Sequence, residues 1–180
     1  MDIADTNIIS TFVRVDSLSL VLALLRTERM YITAATYHEL RKAVKVGCDF
    51  LKPTVESVVA GVPVDLVELS RQEILTTNSL PDSLGPGEAE SIAVCLHRPN
   101  VGLLTNDKRA KNVCREHNIA CRDLPGILRD LWVRGVATKT VVKELIVAME
   151  SEQGMVIKNR NAILEPIRQT RQKGTRGRRE

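Results

Sequence analysis

The chain begins with "MDIADTNIIS" (residues 1–10), in which a very short apolar stretch ends at the carboxylate of Asp5. An apolar run with helical spacing, residues 8–13, follows almost at once. Asp is a favoured residue at the N-cap of a helix, so capping explains Asp5 if it is considered alone. A catalytic role requires other acids at equivalent places along the chain, because active sites gather several ionisable groups.

The same order, a short apolar run and then a longer segment of helical period, is repeated along the chain. Five runs are typical of strands, namely residues 1–4, 30–33, 64–69, 101–105 and 119–121. Pro53 fits the first turn of a helix over residues 54–59, which Gly61 and Pro63 end. Strands that alternate with helices predict βαβ units, so we expect an α/β fold of three layers, α/β/α and Rossmann-like, with a central parallel sheet of about five strands.

Length and composition fit one intracellular domain. The 180 residues can bury a sizeable core, and no apolar run approaches the roughly 20 residues of a membrane span. The first residues lack a signal-peptide pattern, and the four cysteines form no C-x-x-C pair, which favours reduced thiols. Aromatic residues are only 3%, which argues against a surface that stacks bases. We expect a soluble, cytoplasmic protein.

The positive charge is concentrated at the end of the chain. Residues 166–180, "PIRQTRQKGTRGRRE", hold six basic residues and one acid, so subtracting their +5 from the net +4 leaves −1 for residues 1–165. With few apolar residues, this segment cannot bury a core. We expect one folded domain over residues 1–150 and a basic, flexible extension over residues 151–180. The extension is either a solubilising terminus or an arm that follows nucleic-acid phosphates.

Five acids lie near the ends of predicted strands, where parallel sheets place their ligand sites. Asp5 follows the first strand, and Asp107 follows the fourth in "VGLLTND" (residues 101–107). Glu39 lies about two helical turns after the second strand. Glu88 and Glu90 lie in "GPGEAESIAVC" (residues 85–95), in the first turns of a helix. Considered alone, each of these acids can be explained as a helix cap, by its interaction with a helix dipole, or as part of a solvated helix face.

Together, the acids indicate a cation site. Like charges gathered in one pocket repel each other and raise their pKa values unless a cation neutralises them. Hard divalent cations take oxygen ligands, so Mg²⁺ or Mn²⁺ is the ion that such a set would bind.

Four segments resemble the motifs of PIN-domain ribonucleases, in the order that the family shows. They are "DTNIIS" (5–10), "YHEL" (37–40), "GPGEAESIA" (85–93) and "LLTNDKRA" (103–110). The "GEAE" variety resembles a branch of single-domain prokaryotic proteins related to VapC-type toxins. The resemblance covers residues 1–135 and implies a PIN-like nuclease domain.

By this resemblance, the first acid of the family matches Asp5, the second Glu39 and the fourth Asp107. The third falls in "GEAE", where Glu88 and Glu90 both stay open and Glu88 is slightly favoured. These carboxylates would hold one or two Mg²⁺ or Mn²⁺ ions.

Two polar residues match family positions that help to orient the first acid or its metal-bound water, namely Asn7 and Thr105. The chain departs from the family in one respect, because only four residues precede Asp5 and the first strand is therefore short.

The resemblance implies hydrolysis of RNA phosphodiester bonds by a metal-activated water. Basic residues that could hold RNA phosphates follow the fourth acid and recur in the tail, namely Lys108, Arg109, Arg168, Arg171 and Lys173. Lys108 and Arg109 can equally be explained as part of a solvated helix face. We expect RNA as the substrate, an antitoxin protein as a candidate partner, and a homodimer.

Two other interpretations remain. A PIN-like fold can serve as a non-catalytic module that binds RNA or protein, although all the acids are present here. A phosphotransfer protein of similar topology is disfavoured, because a haloacid-dehalogenase-like phosphatase has a second Asp two residues after its nucleophile and this chain has Asn7 there.

Overall fold

A computed structural model of the chain describes residues 1–158 and 160–165. The strands are β1 (Asp2–Ala4), β2 (Met30–Ile32), β3 (Val64–Leu66), β4 (Gly102–Leu104) and β5 (Cys121–Arg122). The helices are α1 (Thr6–Arg14), α2 (Leu18–Leu25), α3 (Ala34–Lys45), α4 (Lys52–Ala60), α5 (Arg71–Thr77), α6 (Pro86–His97), α7 (Lys108–Glu116), α8 (Leu124–Val133), α9 (Lys139–Gln153) and α10 (Arg160–Leu164). A short 3₁₀ helix (Asp49–Leu51) precedes α4.

The five strands form one parallel sheet in the order β3-β2-β1-β4-β5. Ile3 in the central strand pairs with Tyr31 on one side and with Leu103 on the other. The predicted parallel sheet of five strands is confirmed, although each strand is only two or three residues long.

Two apolar cores cover the two faces of the sheet. Side chains of successive strand residues point to opposite faces, so Ile3 and Leu103 pack in one core while Ala4 and Leu104 pack in the other. Residues of α6 and α7 complete the first core, and residues of α1, α8 and α9 complete the second. The three-layer α/β/α architecture is therefore confirmed.

Two helices show how local sequence sets the element ends. Helix α4 carries Pro53 in its first turn and stops at Gly61, whose φ of 69° a residue with a side chain rarely adopts. Helix α5 begins with a capping box, in which Ser70 accepts from the N–H of Glu73 and Glu73 accepts from the N–H of Ser70.

The chain beyond α8 continues to pack on the fold as far as the structure describes it. Helix α9 runs across residue 150, and α10 lies against α8, where the indole of Trp132 donates to the carbonyl of Ile163 at 2.8 Å. Residues 166–180, with the predicted RNA-binding residues Arg168, Arg171 and Lys173, lie outside the described residues. In the part of the chain that is described, no helix combines the length and the apolar character needed to cross a membrane.

Candidate active site

The sheet order places a crevice between β1 and β4. Strands β2 and β3 lie on one side of β1, and strands β4 and β5 lie on its other side. The loops after β1 and β4 therefore lead away in different directions at the carboxyl edge of the sheet. In open parallel sheets, ligands bind at this switch point. Asp5 follows β1, and Thr105 and Asp107 follow β4, so the two loops that flank the crevice carry predicted site residues.

Asp5 is held from both sides of the switch point. One carboxylate oxygen accepts from the N–H of Ile8 at 2.7 Å and caps α1, and the other accepts from the hydroxyl of Thr105. Burial raises the pKa of Asp5 by more than these hydrogen bonds lower it, and the charge of Glu39 raises it further. The capping interpretation is correct, and the same carboxylate lies at the crevice.

Asp107 is connected to Asp5 through Thr105. The backbone N–H of Asp107 donates to the Thr105 hydroxyl at 3.0 Å, while that hydroxyl donates to Asp5. The Asp107 carboxylate caps α7 by accepting from the N–H groups of Arg109 and Ala110 at 2.7 and 2.9 Å. Partial burial raises the pKa of Asp107, but these hydrogen bonds and the Arg109 guanidinium lower it below its usual value overall.

Glu39 approaches the crevice from α3. It lies on the same helix as Thr36, and one of its carboxylate oxygens accepts from the hydroxyl of Thr6, the residue after Asp5. A Cβ atom built on Gly87 of α6 would lie 3.2 Å from the other carboxylate oxygen of Glu39 and 2.8 Å from the Thr36 hydroxyl. Glu39 therefore sits where α1, α3 and α6 meet.

Glu88 lies in the first turn of α6 and faces the crevice. Its carboxylate accepts from the N–H of Gly85 at 2.5 Å, which caps the helix. Burial raises the pKa of Glu88, and the charges of Asp107 and Asp5 raise it further. Glu88 is thus electrostatically coupled to both acids that flank the switch point.

Glu90 has a different environment. Its carboxylate accepts from the N–H of Ala35 at 2.9 Å, in the first turn of α3. A carboxylate at this place interacts favourably with the positive end of the α3 dipole and ties α6 to α3. The position of Glu88 supports its assignment as the third acid, and Glu90 is explained by helix capping.

The predicted auxiliary residues lie at the edge of the crevice. Asn7 is exposed in the first turn of α1, and the side-chain hydroxyl that contacts Asp5 belongs to Thr105. Lys108 and Arg109 are exposed in the first turn of α7, and Arg109 lies 3.6 Å from the Asp107 carboxylate. One predicted RNA-binding residue therefore already partly neutralises a predicted catalytic acid.

Sequence reasoning missed three residues that position the site. Thr6 donates to Glu39, Gly87 allows α6 to approach α3, and Asn106 accepts from the N–H of Leu124 at 2.8 Å and joins the loops after β4 and β5. The available signals were adjacency to Asp5 and Asp107 and a glycine inside a helical segment. None of these signals specifies which side chain on another element is contacted.

The donor set suits a hard divalent cation, although the side chains are not closed around one. Asp5, Glu39, Glu88 and Asp107 offer only carboxylate oxygens, the ligands that Mg²⁺ and Mn²⁺ prefer. Within residues 1–158 and 160–165, no three His, Cys, Asp or Glu side chains are grouped so that they could hold one metal ion. Each of the four carboxylates instead accepts a hydrogen bond from a backbone N–H or a threonine hydroxyl.

Comparison with known proteins gives the family. Residues 1–169 match a family model described as a PIN domain, and no curated protein matches the chain at a significant level. The matched range covers the whole crevice and every element from β1 to α10. The order of the four acidic motifs, the parallel sheet with its switch point and this match agree, and the chain belongs to the PIN-domain family.

Proposed function

We propose that this PIN-domain protein is a metal-dependent endoribonuclease that hydrolyses RNA phosphodiester bonds in the crevice between β1 and β4. The connection of Asp5 to Asp107 through the Thr105 hydroxyl is the observation that carries the proposal. A purely structural cap on α1 would need only the N–H of Ile8, whereas here the Thr105 hydroxyl also donates to the Asp5 carboxylate while it accepts from the backbone N–H of Asp107.

Each acid has a proposed role in holding one or two Mg²⁺ or Mn²⁺ ions. Asp5 is the central ligand, and Glu39, Glu88 and Asp107 surround it from three different helices. When bound, such an ion supplies the water activation and the charge stabilisation that phosphodiester hydrolysis needs. Thr105 fixes the orientation of Asp5, and Thr6 does the same for Glu39.

The helix N-termini around the crevice stabilise its carboxylates. Helices α1, α3, α6 and α7 all begin near the carboxyl edge of the sheet, where their dipoles favour the negative charges of Asp5, Glu90, Glu88 and Asp107. Lys108 and Arg109 add positive charge beside Asp107 and are proposed to contact RNA phosphates.

We propose that the protein acts in the cytoplasm as a VapC-like toxin, pairs with an antitoxin protein and forms a homodimer. The "GEAE" motif and the four-acid pattern support a toxin-like nuclease. A small DNA-binding protein encoded next to this chain would support the pairing.

A non-catalytic RNA-binding module is the second candidate, and one observation favours it. In the region that the structure describes, the acids are satisfied by local donors and form no three-ligand group. A binding module would use the same crevice and basic residues without requiring a cation.

Incubation of the purified full-length protein with end-labelled RNA and Mg²⁺ or Mn²⁺ separates the two candidates. The proposed nuclease yields internal cleavage products, and Asp5→Asn yields none while its circular dichroism spectrum stays that of the wild type. RNA that is bound but remains intact at all metal concentrations would favour the binding module.

A further inference from the structure

A groove runs between α7 and α8, beside the crevice. Its charged lining residues are Lys111, Arg115, Arg122, Asp123, Arg129 and Asp130, and we call it the α7–α8 groove. Its volume is about 400 Å³, within the range of clefts that bind ligands, roughly 300 to 1,000 Å³. Four cations and two carboxylates give the lining a net charge of +2.

The groove adjoins the crevice through α7 and the loops after β4 and β5. Asp107, Lys111 and Arg115 are spaced four residues apart, so they form a row along one side of α7 that begins at the crevice. The loops after β4 and β5 are joined, because the N–H of Thr105 donates to the Arg122 carbonyl at 3.0 Å. An RNA strand that leaves the crevice along α7 would therefore reach the end of the groove at Lys111 and Asp123.

The cations of the groove are only partly neutralised. Lys111 pairs with Asp123 at 2.9 Å, and Arg122 lies 3.8 Å from Asp130. Among the described residues, Arg115 donates only to the Asn112 side chain and Arg129 only to the carbonyl of Ala162, and neither has a carboxylate partner. Two guanidinium groups are thus available to an external anion.

We propose that the α7–α8 groove binds the sugar-phosphate backbone on one flank of the scissile bond, with Arg115 and Arg129 as phosphate contacts. This inference rests on the proposed ribonuclease function. Guanidinium groups bind phosphate oxygens through paired N–H donors, and such contacts position a nucleic acid without reading its sequence. The groove lies on the β5 side of the sheet. It would therefore bind the RNA on one side of the scissile bond and leave the RNA on the other side unbound.

Binding of fluorescently labelled poly(U) RNA in excess chelator tests the groove independently of cleavage. Each phosphate contact with a single strand contributes roughly 0.7 to the slope of log K against log salt. The double variant Arg115→Gln, Arg129→Gln is expected to bind more weakly and to lose about 1.4 from this slope. Arg115→Gln alone, which leaves the Arg129 bond to α10 intact, is expected to lose about 0.7.

Lys42→Gln with Lys45→Gln provides a matched control. These two exposed cations lie in the last turn of α3, at the end remote from the carboxyl edge of the sheet, and their removal also subtracts two charges. The control is expected to keep the wild-type slope. If the groove variants keep it too, or if the control loses as much as they do, the groove is not the binding surface.

Thiol labelling gives a second measurement at the same place. Cys121 lines the groove and is half-buried. Half-buried Cys48 lies just beyond α3, near the control lysines. Poly(U) is expected to slow maleimide labelling of Cys121 but not of Cys48. Unchanged labelling of Cys121 when RNA is bound would overturn the proposal.

Failure of the groove and failure of the nuclease are distinguishable. If the wild type cleaves RNA while the groove variants bind poly(U) normally, only the groove proposal fails. If the wild type never cleaves RNA but the groove variants bind it more weakly, the groove stands and the proposed chemistry fails.

Discussion

At the scale of single residues, two glutamates of α6 show how the crevice is divided between chemistry and structure. Successive residues of a helix are turned by about 100°, so Glu88 and Glu90 point about 200° apart. Glu88 faces Asp5 and Asp107, while Glu90 caps the first turn of α3. The two carboxylates therefore have separate proposed roles despite their proximity in sequence.

Glu88→Gln and Glu90→Gln are expected to give opposite phenotypes. Glu88→Gln removes a proposed metal ligand and should abolish RNA cleavage at Mg²⁺ concentrations that saturate the wild type. Glu90→Gln keeps a side-chain oxygen that accepts from the N–H of Ala35. It loses only the attraction between the carboxylate charge and the α3 dipole, typically about 0.3–1 kcal/mol. It should retain cleavage and unfold at slightly lower denaturant concentration. Equal, mild losses in both variants would place the third acid elsewhere.

Many of the candidate site residues could be anticipated from residue types, but the hydrogen bonds between them could not. Asp5 and Asp107 directly follow apolar strands, so topology alone brought them to the same edge. The choice between Glu88 and Glu90 depends on the rotation of α6, which one sequence does not fix. Thr6 and Thr105 are common residue types, and only the packed structure shows that their hydroxyls contact Glu39 and Asp5.

At the scale of elements, the close approach of α6 to α3 places Gly87 against Glu39. Gly87 makes this approach possible, because a Cβ there would lie 2.8 Å from the Thr36 hydroxyl. Real Cβ atoms do not come so close to another heavy atom without a shift of the neighbouring group.

Gly87→Ala is therefore expected to destabilise the protein although alanine favours helices. The propensity gain is about 1 kcal/mol, whereas overpacking a closed interface costs about 1–3 kcal/mol. Cleavage should fall as well, because the added methyl displaces Glu39. Denaturant unfolding checks the first effect, and a variant as stable as the wild type would show that the interface is loose.

An ion pair joins the end of α6 to α5 and makes stability depend on pH. Hydrogen bonds from Arg98 to buried Glu73 hold the pKa of Glu73 at about 2, below its usual 4.5. A lowered carboxyl pKa stabilises the fold fully above pH 4.5 and loses this contribution as the pH falls toward 2. At about 1.36 kcal/mol per pKa unit, the contribution is up to about 3 kcal/mol.

Glu73→Gln should reduce the free energy of unfolding at neutral pH by up to this amount and flatten its pH dependence between 4.5 and 2. Urea unfolding of both proteins across that range measures the difference. If the two curves keep a constant separation down to pH 2, the ion pair is not the source of the acid sensitivity.

Elements that the sequence pattern predicted are those with a clear apolar period or a strong end signal. Helix α4, with Pro53 at its start and Gly61 at its end, is one example. Helix α5 has only seven residues and exposes Ile74 and Leu75, so periodicity gave no prediction of it. Its capping box, Ser70 with Glu73, was the available signal. The third strand was predicted too long, because the chain leaves the sheet after Leu66.

At the scale of the whole molecule, charge is separated along the chain. Residues 1–165 carry −1 and include the acidic crevice, while residues 166–180 carry +5. A near-neutral body with a pocket of carboxylates attracts a polyanion weakly. The tail, with Arg168, Arg171 and Lys173, is proposed to supply the missing attraction.

Removal of residues 166–180 should weaken RNA binding and flatten its salt dependence. Each lost phosphate contact lowers the slope of log K against log salt by roughly 0.7. Binding of the full-length and truncated proteins to one RNA across a salt series measures this. Parallel lines of equal slope would identify the tail as a solubilising terminus.

Asp5, Glu39, Glu88 and Asp107 are proposed to hold a catalytic divalent cation together. The most direct test of this proposal is the rate of RNA cleavage by the full-length protein as Mn²⁺ is added back after treatment with excess chelator. We expect no cleavage in chelator, saturable recovery of wild-type cleavage with Mn²⁺, and no recovery of cleavage by Asp5→Asn at any Mn²⁺ concentration. Undiminished cleavage by the wild type in excess chelator would contradict the proposal.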